Sequence, residues 1–351
     1  MALRLTLMPL AMGVVAVVGA ACGGDDEANT SASSASAAQG GSLTIYSGRE
    51  QEIVAPLFER FEDESGVKLE VRYGDSAELA ATIAEEGSNS PADVFFAQDA
   101  GALGAVASAG SLDPLPQELL DRVPAVYRDE AGRWVGTSGR VRVLAYNTDA
   151  LSAAEVPGSV YDLIDPRWKG KIGIAPTNAS FQAFVSAMRL TEGEEKTRAW
   201  LEEVKANGAR FYEKNSAIVE AVASGEIELG LVNHYYLALL KEEQPDAAVA
   251  NKFIGGGDPG GLVNVAGIGV LGTSDRKAAA ARFVEYLLSD AGQRFYADEA
   301  AESEYPLVAG IAAKEGLPPL DSLDGPVIAL GDLGAKLEST LVLLNKTGYT
   351  S

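Results

Sequence analysis

The sequence predicts an α/β fold arranged as two lobes with a cleft between them. Three observations carry that expectation. Short β-rich runs alternate with helical segments over roughly 270 residues, which implies sheets, expected to be parallel, with helices on both faces. The chain of 351 residues exceeds what one such sheet needs and is long enough for two. No period of roughly 20–50 residues repeats, which excludes a solenoid.

The elements follow from residue pattern. SLTIYS, from Ser42, is β-rich, and Gln51 to Glu64 follows as a helix with Ile53, Leu57, Phe58 and Phe61 at helical spacing. VKLEVRY alternates as a strand, and SAELAATIAEEG is a helix closed by Gly87. ADVFFAQ is a buried strand and AGALGAVASAG a small-residue helix; RVRVLAYN and KIGIA are strands, and FQAFVSAMRL is a helix. ARFY then SAIVEAVASG, and IELGLVN then HYYLALLKEE, form two further strand–helix units. VAGIGVLG is a strand, and AAARFVEYLLSDAGQRFYADE is expected as one long helix. The glycine-rich IGGGDPGG lacks a following Lys-Ser or Lys-Thr, so it is not a P-loop; it reads as a loop into one crossover between lobes, RVRVLAY being the other.

Composition removes several functions. Fifty acidic residues against 28 basic ones give a formal charge of −22, and there is one His and one Cys. Nucleic acid and anionic membrane surfaces repel so acidic a chain. One Cys excludes an intrachain disulfide, a four-cysteine zinc site and an iron–sulfur cluster, and one His excludes paired-imidazole metal sites. No GxSxG elbow, no HExxH and no second His or Cys for a triad is present, so no enzyme is expected.

The N-terminus reads as an address. Leu5 to Ala21 is apolar, follows Arg4, is short for a spanning helix, and ends in small residues before Cys22. This resembles a bacterial lipoprotein signal in which Cys22 would carry the lipid, although Gly19 stands where an aliphatic residue is usual; the alternative is a plain secretory signal with Cys22 incidental. The expected organisation is a signal over 1–21, a flexible tether over 22–41, a first lobe from 42–141 plus 264–315, and a second from 142–263 plus 316–351.

In open α/β sheets ligands sit beyond the carboxyl ends of strands, where helix N-termini present free N–H groups. The strand-to-helix turns therefore hold the candidates: Arg49-Glu50-Gln51, Gln98-Asp99, Asn178-Ala179-Ser180, Asn215-Ser216 and Asn233-His234-Tyr235-Tyr236. Asn and Ser here serve as N-caps or, converging on one edge, as an anion site. Adjacent tyrosines at the first turn of a helix can both reach into a cleft; otherwise one is buried and one is on the surface. Two phenols suit a hard trivalent cation such as Fe(III), which lowers the phenol pKa from about 10, whereas zinc or copper prefers the imidazoles and thiolates that are missing.

With these residues in view, the chain from Ser42 to about Pro306 resembles the bacterial ferric-ion-binding proteins of ABC importers, transferrin-like members of the type II periplasmic solute-binding superfamily. The matches are IYSGRE, PADVFF, TSGRVRV, WKGKIG, KNSAIVEAV, NHYY, DPGGLVN and EYPL. The resemblance implies two α/β domains joined by crossover strands, Tyr235 and Tyr236 as iron ligands, and a synergistic anion such as carbonate or phosphate held by Asn178, Ala179 and Ser180 with Asn215 and Asn233. Arg142 is then a cation near the phenolates. Glu50 stands where the family's best-known members have His, and Gln98 where they have Glu, so two phenolates and one carboxylate still sum to −3. Gln98 is a weak neutral donor, and Asp99 substitutes if the turn shifts by one residue. His234 is expected to be packed or hydrogen-bonded rather than a ligand.

The resemblance further implies an extracytoplasmic monomer, anchored to the membrane by lipid, delivering iron to an ABC permease. A metal-free binder of a small organic anion such as a phosphonate is the alternative, motivated by the missing His and Glu.

Overall fold

The computed structural model describes residues 41–300 and 303–350. The expected leader, Cys22 and nearly all of the expected tether lie outside the described residues. Among the described residues no helix is long and apolar enough to cross a membrane.

The first half is built from β1 (Ser42–Ser47), α1 (Gln51–Ser65), β2 (Lys68–Tyr73), α2 (Ser76–Glu86), β3 (Val94–Ala97), α3 (Ala100–Ser108), β4 (Leu112–Asp113) and α4 (Gln117–Leu120). The strand β5 (Trp134–Asn147) then leads into a second half of β6 (Ile172–Ile174), α5 (Ala179–Glu192), α6 (Glu194–Ala206), β7 (Arg210–Phe211), α7 (Asn215–Ala223), β8 (Leu229–Asn233), α8 (Tyr236–Glu243) and β9 (Val249–Phe253). The chain returns through β10 (Val263–Leu271), α9 (Lys277–Leu287), α10 (Asp290–Arg294), β11 (Tyr305–Pro306) and α11 (Asp332–Lys346).

The strands run in the order β2-β1-β3-β10-β5-β8-β6-β7, with β4, β9 and β11 pairing off that path. β5 belongs to both halves. It pairs antiparallel with β10 up to Val141, opposite Val263, and with β8 from Arg142, opposite Asn233. All 14 of its residues are buried, as a strand covered on both faces requires.

The expectation of parallel sheets needs correction. β1 is parallel to both β2 and β3, and β6 to both β7 and β8, yet β10 is antiparallel to β3 and β5, and β5 to β8 and β9. The reason is that β10 comes back from the second half through a short glycine turn, Pro259–Gly261, instead of a crossover helix, so it enters the first sheet in the opposite sense.

Two further differences are local. The expected long helix breaks after Leu287, because Ser289 caps a new helix by accepting from the Gly292 amide at 3.2 Å. α11 was not anticipated as an element. It lies on α3 through glycine-to-glycine approach: a Cβ on Gly104 would sit 2.1 Å from the Gly331 carbonyl. Its other side meets α5, where Ser186 and Thr340 hydroxyls are 2.8 Å apart and Arg189 Nη1 donates to Thr340 Oγ1 at 2.6 Å.

Each half has its own aromatic core. Phe58, Phe61, Phe96 and Phe283 pack together in the first, and Phe181, Phe184, Trp200 and Tyr349 in the second.

Candidate functional site

The first-half turns sit side by side. The Gly48 amide, just past β1, donates to the Phe96 carbonyl in β3 at 2.8 Å. Ser76, at the start of α2, is wedged between them: its Oγ accepts from the Gln98 amide at 2.9 Å, and a Cβ on Gly48 would lie 1.9 Å from that same oxygen. Glycine is therefore required at 48. Glu50 is the N-cap residue of α1, exposed, with no capping bond from its side chain, so its carboxylate is available to a ligand. Gln98 is half-buried and its carbonyl accepts from Arg140 Nη2. Asp99 caps α3, its Oδ1 accepting from the Ala102 amide at 3.0 Å, and burial raises its carboxyl above the usual range.

In the second half, Asn178, Ser180, Asn215 and Asn233 join a single network. Asn178 caps α5: its Oδ1 accepts from the Ser180 amide at 3.0 Å, from Ser180 Oγ at 2.6 Å and from Asn215 Nδ2 at 3.0 Å. Asn215 Nδ2 also donates to Ser180 Oγ at 3.1 Å, while its Oδ1, buried at 1% exposure, has no hydrogen-bond partner. Ala179 is exposed at the first position of α5, where the amide has no intrahelical acceptor.

Arg142 links this network to the tyrosines. At 2% exposure it donates through Nη1 to Ser180 Oγ (2.9 Å) and Asn233 Oδ1 (3.3 Å), and through Nη2 to the Leu231 carbonyl (2.8 Å). Its Nε has no hydrogen-bond partner, and among the described residues no carboxylate lies within ion-pair distance of it. Burial pulls the guanidinium down to about 10, and the groups that oppose this are the phenols of Tyr236 and Tyr235. The two phenol rings are 4.4 Å apart, inclined by 33°. Tyr235 is buried at the N-cap of α8 and Tyr236 opens that helix half-buried.

His234 has both ring nitrogens engaged. Nδ1 accepts from the Val141 amide at 3.3 Å, so Nε2 carries the proton and donates to the Ser303 carbonyl at 3.2 Å. Burial holds it down to about 4, so it is neutral and packed, as its position beside the tyrosines led us to expect.

One feature escaped the sequence reading. Glu304, in the EYPL stretch, is wholly buried, and its Oε1 accepts from Arg49 Nη1 at 3.0 Å and lies 3.5 Å from Arg140 Nη1. Ser138 Oγ donates to its Oε2 at 2.6 Å. Two arginines hold its carboxyl at about 2 against the opposing effect of burial. Ser138, Arg140 and Arg142 alternate along β5 and so share one face of it. A usable signal was the TSGRVRV run itself: two arginines two apart in a buried strand need partners.

Among the described residues no group of three or more His, Cys, Asp and Glu side chains could hold a metal.

The model of the bacterial extracellular solute-binding protein family matches residues 89–322. The chain is 34% identical over 307 residues to the Fe(3+)-binding periplasmic protein of Serratia marcescens, covering 87% of this chain and 90% of that one. Among solved structures it is similar to iron-bound HitA from Pseudomonas aeruginosa, with a TM-score of 0.80, 35% identity and coverage of 88% and 99%. It is also similar to the Trichodesmium IdiA (FutA) protein in complex with iron and citrate, with a TM-score of 0.79, 31% identity and coverage of 88% and 100%. The two-lobed architecture is thus shared, and the chain belongs to the bacterial extracellular solute-binding protein family, in the branch of the periplasmic ferric-iron-binding proteins.

Proposed function

We propose that this protein binds Fe(III) together with a synergistic anion, carbonate or phosphate, and delivers the iron to an ABC permease. Tyr235 and Tyr236 serve as phenolate ligands and Glu50 as the carboxylate, with Gln98 closing the first-half side. Asn178, Ala179, Ser180, Asn215 and Asn233 form the anion cradle. Cys22 carries the lipid anchor of a monomeric extracytoplasmic protein, and the lobes divide at 42–141 with 264–315 and 142–263 with 316–351.

The observation that carries this reading is Arg142. A buried guanidinium without a carboxylate is costly unless something anionic answers it. What faces it are two phenols, the Phe184 ring with its centroid 5.8 Å from Cζ, the Leu231 carbonyl and neutral Asn and Ser groups, none of them anionic as they stand. Ionised phenolates and a bound anion supply the missing negative charge, and phenolates at neutral pH call for a hard trivalent cation.

The test is a ferric titration followed by visible absorption in carbonate and in phosphate buffer, with Tyr235→Phe and Tyr236→Phe alongside. We expect a phenolate-to-iron charge-transfer band saturating at one iron per chain and lost in both variants. A colourless wild-type protein whose melting temperature responds to small organic anions alone would replace this reading with the metal-free one.

A further inference from the structure

We propose that Glu304 is a positioning residue which, with its neighbour Ser303, ties the turns bearing Glu50, Gln98 and the Tyr235–Tyr236 pair into one mechanical unit. What is positioned rests on the iron-site reading; the tie itself is geometric. Arg49, the residue before Glu50, donates to Glu304 Oε1 at 3.0 Å. Arg140 lies 3.5 Å from the same oxygen and donates to the Gln98 carbonyl. One residue earlier, the Ser303 carbonyl accepts from Nε2 of His234, the residue before Tyr235. Three turns, two from the first half and one from the second, therefore end on two consecutive residues.

The backbone there is held in an unusual state. Ser303 has φ 47° and is the one non-glycine residue at positive φ among the described residues. Such a conformation persists where its surroundings over-determine it. Here the Ser303 hydroxyl accepts from Lys314 Nζ at 2.8 Å while its carbonyl is held by His234, and the next side chain is held by Arg49, Arg140 and Ser138. Two arginines reaching two separate ligand turns make a link, so movement of the tyrosine turn is carried to Glu50 and Gln98 without contact between the ligands themselves.

The test is amide hydrogen exchange on the ligand-free protein, comparing wild type with Glu304→Gln, Arg140→Gln and Ser303→Gly. For Glu304→Gln we expect exchange about tenfold faster at the turns 48–51, 98–100 and 234–236 together, with α6 unchanged. Arg140→Gln should loosen 98–100 alone. Ser303→Gly, which favours the native φ and so keeps the fold, should loosen 234–236. Unchanged protection at the three turns, or loss spread equally into α6, would overturn the proposal. Ferric titration of the same variants should show the phenolate band retained with iron bound about tenfold more weakly. A wild-type protein lacking the band would remove the iron reading alone, because the exchange data decide the tie without metal.

Discussion

Replacing Arg142 with Met should separate iron binding from anion binding, and the sign follows from charge. Fe(III) brings +3 and two phenols lose two protons, so loading the site without an anion adds a net charge of +1. A buried guanidinium opposes that step. A divalent anion changes the increment to −1, which the guanidinium favours. At an effective dielectric constant of ~20 and a separation of ~6 Å, a unit charge is worth about 3 kcal/mol, or on the order of 100-fold in affinity. Arg142→Met should therefore strengthen anion-free iron binding and weaken anion-linked binding, each by up to about 100-fold. Stability should change little. The variant loses three hydrogen bonds of ~1 kcal/mol each, to Ser180, Asn233 and Leu231, and removes a buried charge whose desolvation already pulls its pKa to about 10. The assay is a ferric titration by phenolate absorption with and without phosphate, with the melting temperature of the free protein as control. Arg142→Met showing the wild-type dependence on anion would refute the electrostatic argument. Parallel loss of both affinities together with the melting temperature would show that Arg142 serves only packing.

Three further outcomes are expected. His234, the chain's one histidine, is held at about 4 in the folded protein against ~6.5 unfolded, so the unfolded state takes up the proton first as pH falls. Stability should drop by about 3 kcal/mol at most between pH ~6.5 and ~4, with no contribution from this group above that window; because the raised Asp99 carboxyl acts in the opposite sense as pH falls, the check is the difference between wild type and His234→Gln in denaturant titrations across pH, which should carry this slope. Gly104→Ala drives a Cβ to within 2.1 Å of the Gly331 carbonyl, which cannot rotate away, so α11 must shift and unfolding should cost about 2–3 kcal/mol less in urea. Glu50→Gln lowers the ligand charge from −3 to −2 and should weaken iron binding about 100-fold, while the double exchange Glu50→Gln with Gln98→Glu restores −3 and should recover most of it by the same titration.

The fold was legible wherever local pattern decides structure. β1, α1, β2 and α2 fall within a residue or two of where alternation and helical spacing put them, and Gly87 closes α2 at φ 53°, a positive φ that glycine adopts readily. Strand direction was not legible, because it depends on how β10 re-enters the sheet, a matter of loop path and not of residue pattern. α11 was missed for a related reason. Its packing depends on Gly331 and Gly334 meeting Gly104 and Gly101, and small residues that permit backbone approach leave little trace in hydrophobic periodicity.

The site divides along the same line. Residues adjacent in sequence, Tyr235 with Tyr236 and Asn178 with Ser180, could be grouped by position at strand-to-helix turns, and the Asn–Ser set is one connected network with Arg142. Glu304 could not be grouped with them, because its partners Arg49 and Arg140 stand 255 and 164 positions away in the chain; the register of β11 on β5 brings Arg140 to it, and Arg49 reaches it from the turn after β1. That register also sets the distribution of charge. Ser138, Arg140 and Arg142 share one face of a strand spanning both sheets. The first two answer a buried glutamate in the first half, and the third faces neutral groups and phenols in the second. On the proposed function, Arg142, with no carboxylate beside it among the described residues, stands where negative charge would arrive with the ligand, so the second half would sense the anion and the first half would supply the remaining carboxylate.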